Sequence, residues 1–406
     1  MRSSDIVLSG LGVTTAVAQG KNRFLNALLA GEHAFGELQR PGRDAGTRFL
    51  GAEIRSLQLP DRFDARKRRT WSWPAEVAIA TLDEAWGDAN LGDVDPTRIG
   101  LIVGGTNLQL REAALLREAH ADRPEFVRPT YGVSFLDTDL CGICTENYAI
   151  RGQAMVVGGA SASGQLAVIQ AVQAIESGAL DVCIALGALT DLSHWECQAL
   201  RSLGAMGSDR FAKEPALACR PFDSDRDGFI YGESCAAVVV ESRAYAAGRK
   251  ARMYAQIDGW GISIDGNRNP NPSAEGEMAA IAAALKRAGV APREIDYVNP
   301  HATGSVLGDE TELLAIRESG LSRAFLSATK SITGHGLSAA GAVEVVATAL
   351  QMNAGRLHPS RNLDRPLDSS ANWVGPNAID CRLRRALTLS NGFGGINTAL
   401  CLRTVN

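Results

Sequence analysis

Three short segments gather side chains able to do chemistry, each where an apolar run gives way to glycine: MVVGGASASGQ from Met155, NPHATGSVLGDE from Asn299 and TKSITGHGLSAAGAVE from Thr329. Ser161 stands just ahead of a helix-patterned stretch, His301 just after a strand-like one, and Lys330 and His335 share the third segment. A hydroxyl and two imidazoles are the parts of a nucleophile with its base, or of a site that stabilises an oxyanion. Singly, each has an ordinary structural account: Ser as a helix cap, His as a satisfied core or surface group, Lys as a solvated charge.

The elements that must position them fall into two runs of similar order. In the first, strand patterning at 5–10 is followed by helical patterning at 21–30 and 75–89 and an apolar strand at 99–104. A strand at 154–157 then breaks at Gly158-Gly159 into a long helical pattern at 163–177, with strands at 182–186 and 236–241. The second run has a strand at 254–259, a helix at 275–288, strands at 297–299 and 325–327, a helix at 339–352, and strands near 386–390 and 398–403. Strands alternating with helices predict an α/β architecture of mixed sheets covered by helices, in two halves, 1–245 and 246–406. Glycine-rich turns at strand ends are where sites in such folds lie. The Pro-rich piece 267–272 is short enough to be a loop.

Composition narrows the function. With 406 residues, 45% apolar and 21% charged, the chain can bury a large core. The net charge of -4 gives no basic field for nucleic acid. No run approaches the roughly 18 apolar residues of a membrane span, and residues 1–12 lack a basic leader and a cleavage site, so a cytoplasmic protein is expected. The eight cysteines are read as mostly small buried apolar residues. Cys141 and Cys144 form a CxxC pair, but no second pair or histidine completes a zinc set. Gly104-Gly105 is no dinucleotide fingerprint, and His194 with Glu196 reads as an isolated surface pair. Neither metal nor nucleotide is expected.

Order and spacing together point further. SGLGVTTAV from Ser9, NALLAGEHAF from Asn26, RPFDSDRDGFIYGES from Arg220, the two histidine segments and NGFGGINTAL from Asn391 occur in sequence. With these motifs the chain resembles the β-ketoacyl-acyl-carrier-protein synthases over nearly its whole length. The resemblance implies a thiolase fold of duplicated five-layer α-β-α-β-α architecture, a homodimer, and a substrate carried on the 4'-phosphopantetheine of an acyl carrier protein, with no cofactor of the enzyme's own. It also implies that His301 and His335 activate the extender unit, that Lys330 orders them, that Phe393 gates the site, and that Thr303 and Ser305 bind the pantetheine amides. Arg66, Lys67, Arg68 and Arg69 form a basic run, either a solvated face or a docking patch for an acidic carrier protein.

One departure decides the activity: Ser161 occupies the position of the family's cysteine nucleophile. A helix N-terminus contributes up to about 2 kcal/mol, roughly 1.5 pKa units, which brings a thiol near ambient pH but leaves an alkyl hydroxyl far above it. Condensation, which needs an acyl-enzyme, is therefore expected to fail. Decarboxylation needs only an oxyanion site for the enolate, and both histidines are retained. The expectation is a lyase converting malonyl-carrier into acetyl-carrier, resembling the decarboxylases of polyketide β-branching cassettes that feed a hydroxymethylglutaryl-synthase-like enzyme. Since the chain opens at Met1 and closes soon after its last strand, a freestanding protein is expected. Two alternatives stay open: a true serine nucleophile in an acyltransferase or condensing enzyme, and a non-catalytic partner resembling a chain-length factor.

Overall fold

The computed structural model describes residues 5–43, 46–268 and 270–405; Met1–Ser4 of the opening stretch and Asn269 of the 267–272 loop lie outside them. Five strands of the first half are β1 (Ile6–Thr15), β2 (Ile99–Gly104), β3 (Ala154–Val157), β4 (Val182–Gly187) and β5 (Ser234–Ser242). Five of the second are β6 (Ala255–Ile264), β7 (Tyr297–Asn299), β8 (Phe325–Leu326), β9 (Arg385–Gly392) and β10 (Ile396–Arg403). They form one ten-stranded sheet in the order β8-β7-β9-β10-β6-β1-β5-β4-β2-β3.

That order is a mirror of itself. On each side of the junction the first strand pairs antiparallel with the last, the last pairs antiparallel with its neighbour, and two parallel strands follow. Among the described residues, the three pairs Ile6–Ile257, Val7–Gln256 and Leu8–Ala255 join the halves edge to edge.

Four helices complete the layers: α1 (Trp73–Ala89), α2 (Ser163–Glu176), α3 (Ala274–Ala288) and α4 (Ala340–Ala354). Both outer helices approach their strands over a repeated Gly-x-Gly. A Cβ on Gly12 of β1 would lie 2.1 Å from the Thr81 carbonyl oxygen, and one on Gly261 of β6 2.0 Å from that of Ala280. Each helix is closed by local chemistry. The Ser72 hydroxyl accepts the Ala75 N–H (3.3 Å) and the Ser273 hydroxyl that of Gly276 (3.2 Å), with left-handed Asn90 and Gly289 ending the helices.

The inner pair, α2 and α4, is packed between the two halves of the sheet. Ala340 through Met352 of α4 are all buried, as expected of a helix apolar on every face. These two helices meet through Gly164 and Gly341. The result is the five-layer α-β-α-β-α arrangement of the thiolase fold. Among the described residues, no helix is long and apolar enough to cross a membrane, and no cluster of three or more His, Cys, Asp or Glu could hold a metal ion. Cys141 and Cys144 are buried in the helix Thr138–Asn147, and burial pushes the Cys141 thiol up to about 12.

Candidate active site

β3 ends at Val157, and after Gly158-Gly159 the chain turns sharply through Ala160, held at φ +47°, into the short turn Ala160–Ala162 that leads to α2. A left-handed alanine costs about 1 kcal/mol, so its surroundings must hold it there. The Ser163 hydroxyl does so, accepting the Gly159 N–H at 2.9 Å and donating to the Ala160 carbonyl at 2.7 Å. From the other half, Gly392 packs so closely that a Cβ on it would lie 2.2 Å from the Gly159 oxygen. The elbow presents Ser161, half-buried, with its Oγ 2.9 Å from His335 Nε2. Ser161 does not cap the helix.

His301 follows β7 and Pro300, and the next residue, Ala302, again has a left-handed φ of +47°. The turn is pinned by Glu312 on the helix Val306–Glu318, whose carboxylate accepts the N–H groups of His301 (2.5 Å) and Ala302 (2.7 Å). Lys330 is buried behind the ring. Its ammonium pairs with Glu344 of α4, donates to the His301 carbonyl, and lies 3.4 Å from His301 Nδ1. An ammonium only donates, so Nδ1 carries the lone pair and the ring proton sits on Nε2. Burial first, then the positive charge of Lys330 and the neighbouring His335, holds His301 well below the ordinary imidazole range.

His335 is suspended from its main chain: its N–H donates to the Ile230 carbonyl (2.7 Å) and its own carbonyl accepts the Gly232 N–H (3.1 Å). Its ring stands edge-on to Phe229 (5.1 Å) and to His301 (5.4 Å). Burial and Lys330 keep it neutral too. Its Nδ1 has no hydrogen-bond partner among the described residues. A buried N–H without an acceptor is the costlier orphan, so the proton belongs on Nε2, and Ser161 Oγ accepts it.

A cavity of about 340 Å³ opens onto these groups. Ser161, His301, His335, Thr303, Ser305 and Phe393 all line it. Thr303 Oγ1 donates to Ser305 Oγ at 3.0 Å, and Phe393, 44% exposed, precedes two glycines at φ +90° and +79°. Lys330 acts from outside the cavity wall. The basic run is elsewhere, on and just after the short helix Ala65–Arg68: Arg66, Lys67 and Arg69 are exposed, while Arg68 turns toward Glu76 at 3.8 Å.

Sequence reasoning passed over the supports of this site. Glu312 lies two residues past the first histidine segment, and its spacing from His301 was the one available signal. Ser163, Glu344 and Phe229 carried none. His194 and Glu196 prove half-buried rather than a surface pair, because Glu196 closes a capping box with Ser193 at the start of the helix His194–Ser202.

Two neutral imidazoles presenting Nε2–H into one cavity can receive negative charge on an oxygen. A serine 2.9 Å from an imidazole resembles a nucleophile and its base, but no carboxylate stands at His335 Nδ1 to orient that ring as a base.

Residues 3–246 match the model of the β-ketoacyl synthase N-terminal domain, and residues 254–364 that of its C-terminal domain. The chain is 55% identical to the polyketide biosynthesis malonyl-ACP decarboxylase PksF of Bacillus subtilis (strain 168), with 99% of this chain and 97% of that protein covered. It is 30% identical to the 3-oxoacyl-[acyl-carrier-protein] synthase 2 of Coxiella burnetii over the full length of both. A crystal structure of a β-ketoacyl synthase from Burkholderia phymatum STM815 superposes with a TM-score of 0.91 at 27% identity, covering 99% of this chain and 100% of the other. With both domain models matched in order across most of its length, the chain belongs to the β-ketoacyl synthase family.

Proposed function

We infer that this protein decarboxylates malonyl groups on an acyl carrier protein, yielding acetyl-carrier for polyketide biosynthesis. The observation that carries the reading is the state of the Ser161–His335 pair. His335 Nδ1 has no hydrogen-bond partner among the described residues; with the proton therefore assigned to Nε2, His335 donates to the serine 2.9 Å away, the imidazoles serve an oxyanion and the hydroxyl is not activated. The near-full-length likeness to a malonyl-ACP decarboxylase supports the same activity.

The proposed sequence of events follows from the donors. The malonyl thioester oxygen enters between His301 Nε2–H and His335 Nε2–H, displacing the Ser161 hydroxyl from the latter. With its carboxylate turned out of the thioester plane, the bond from the α-carbon to the carboxyl breaks. Its electron pair passes into the enolate, and carbon dioxide leaves. Lys330 keeps both rings neutral and fixes the His301 tautomer. Each preorganised donor to such an oxygen is worth about 100- to 1,000-fold in rate. Thr303 and Ser305 are proposed to hold the pantetheine amides, and Phe393 to gate the arm's entry; their position in the cavity wall supports this.

Three finer assignments belong to the same proposal. Arg66, Lys67 and Arg69 are exposed cations suited to docking an acidic carrier. A homodimer is supported by β3, the edge strand at the first-half end of the sheet, whose Ala154 is exposed, and by exposed Phe126, Val133 and Phe135 in the preceding segment. A cytoplasmic place in a β-branching cassette, upstream of a hydroxymethylglutaryl-synthase-like enzyme, suits the acetyl-carrier product and the eight unpaired thiols.

The 2.9 Å Ser161–His335 contact favours one other reading, a serine acyltransferase. Intact-mass measurement of malonyl-loaded carrier and enzyme together separates the two. Loss of carbon dioxide from the carrier with an unmodified enzyme supports the decarboxylase; an acylated enzyme supports the serine nucleophile. No change in either would leave a non-catalytic partner.

A further inference from the structure

The cavity wall holds an acid that the mechanism above does not use. Four carboxyl groups line it: Asp265, Glu277, Asp309 and Glu312. Three of them are engaged. Asp265 accepts the Asn397 amide at 2.7 Å, Asp309 accepts the N–H groups of Phe222 (2.5 Å) and Gly304 (3.0 Å) beside Arg226, and Glu312 holds the His301 turn with both oxygens. Glu277 differs. It sits in the first turn of α3 on the face turned inward and is 3% exposed, and its Oε2 has no hydrogen-bond partner among the described residues. Its side chain meets the Asn391 amide, also in the cavity wall, and among the described residues no Lys or Arg forms an ion pair with it.

Burial and the neighbouring Glu312 carboxylate raise Glu277 well above the ordinary carboxylic range. Burial raises Glu312 too, to about 8, but the two main-chain N–H groups that converge on it favour its carboxylate, whereas Glu277 meets a single side-chain amide. Glu277 therefore carries the proton. Decarboxylation leaves an enolate whose α-carbon must be protonated, and the other groups at hand are poor acids: both imidazoles are neutral and face the oxygen, and the Ser161 hydroxyl ionises far too high.

We propose that Glu277, facing the cavity shared with Ser161, His301 and His335, is the proton donor to the enolate carbon. This rests on the decarboxylase reading. As the thioester carbonyl re-forms, the enolate pair makes a new C–H bond with the Glu277 proton, and Glu277 is left as a carboxylate. Water entering the cavity returns a proton to it, driven by the same repulsion from Glu312. The overall change is malonyl carboxylate plus one proton from solvent giving acetyl and carbon dioxide.

The test runs wild-type, Glu277→Gln and Glu277→Asp enzymes on malonyl-carrier in an equal mixture of H2O and D2O, reading carbon dioxide release and the hydrogen-to-deuterium ratio in the acetyl product. Glutamine keeps the shape and loses the acid, so about a 100-fold slower turnover and a ratio shifted to that of protonation by water are expected. Aspartate keeps an acid and should retain the wild-type ratio at reduced rate, and it carries the test alone if the glutamine variant does not fold. An unchanged ratio and rate in Glu277→Gln, or a water-like ratio in Glu277→Asp, would overturn the assignment while the decarboxylase reading stands. Absence of carbon dioxide release from wild type would instead remove the reading beneath it.

Discussion

The elbow before α2 and the elbow before α4 are built alike and used differently. Gly159-Ala160-Ser161-Ala162-Ser163-Gly164 in the first half matches Gly336-Leu337-Ser338-Ala339-Ala340-Gly341 in the second, six residues in the pattern Gly-x-Ser-Ala-x-Gly. Each begins with a left-handed non-glycine residue, Ala160 at φ +47° and Leu337 at φ +51°, then makes a short turn and enters a buried helix. Yet Ser161 is half-buried beside an imidazole, whereas Ser338 is 3% exposed. The second elbow contributes the residue before it, His335, which crosses to meet the first. The elbow geometry is therefore a scaffold, and what each half adds around it sets the chemistry.

The largest effect should come from breaking what only the second half supplies. His335→Ala and His301→Ala are each expected to lower decarboxylation by about 100- to 1,000-fold, the worth of one oxyanion donor. Rates of carbon dioxide release, compared at saturating malonyl-carrier, check this. Two near-wild-type variants would mean that the enolate is stabilised elsewhere.

The shared part should respond symmetrically. A Cβ at Gly164 would lie 2.8 Å from the Ala342 main-chain nitrogen, and one at Gly341 2.8 Å from that of Gln165. Both contacts are with backbone, so the helices must part to admit a methyl group. Gly164→Ala and Gly341→Ala should each cost about 1–3 kcal/mol by overpacking, less the roughly 1 kcal/mol that alanine gains in a helix interior. Equilibrium unfolding in denaturant reads both. A cost at one glycine and none at the other would show that the two elbows are not clamped equally.

Much of this plan was legible because it is periodic. The pattern at 163–177 predicts α2 (Ser163–Glu176) to within a residue, and 339–352 lies almost wholly inside α4, because both helices are apolar enough to be read without their neighbours. The helices Leu110–Ala119 and Val306–Glu318 were missed: the first mixes charged and apolar residues and buries Arg111 rather than an apolar stripe, and the second begins within a segment whose histidine drew the reading toward a loop. The residues that line the cavity together lie in segments picked out by motif order: Ser161 and His301 follow strand ends, and His335 follows the short helix Lys330–Thr333. The site's supports could not be read in the same way. Glu277 looks like one more first-turn acid on an amphipathic helix, and what makes it unusual is its burial, together with the approach of Glu312 from another element. The six-residue repeat of the elbows was present in plain sequence, but so short an identity gains meaning only when both copies are seen to do the same thing.

Protonation offers a second way to separate the two regions. His301 and His335 are held below the ordinary imidazole value of about 6.5 by burial and Lys330. A group whose folded-state pKa is depressed lets the unfolded chain bind protons that the fold refuses. Stability from this source is full above about pH 6.5 and is lost as pH falls toward the depressed values, at about 1.4 kcal/mol per unit of depression. Denaturant midpoints taken downward from pH 7 should fall less steeply in the His301→Ala, His335→Ala double variant than in wild type. An equal slope would place the acid sensitivity elsewhere.

The smallest effect is expected at the residue that first drew attention. If Ser161 Oγ accepts from His335 Nε2–H and is displaced when substrate arrives, Ser161→Ala removes a hydrogen bond made in the resting site. Decarboxylation should then stay within about tenfold of wild type, since a net hydrogen bond is worth about 1 kcal/mol. A nucleophile acting through an activated hydroxyl behaves otherwise, because its removal abolishes the covalent step and costs several orders of magnitude. Cysteine at the two elbows sharpens the contrast. Ser161→Cys places a thiol at a helix N-terminus open to the cavity and should acquire an acyl group from acyl-carrier, visible as a mass increase of the enzyme. Ser338→Cys has the same turn and helix start and also lines the cavity, but it is 3% exposed where Ser161 is half-buried, and no acylation is expected there. Acylation at both positions would mean that the elbow itself confers reactivity, and the distinction drawn between the halves would fail.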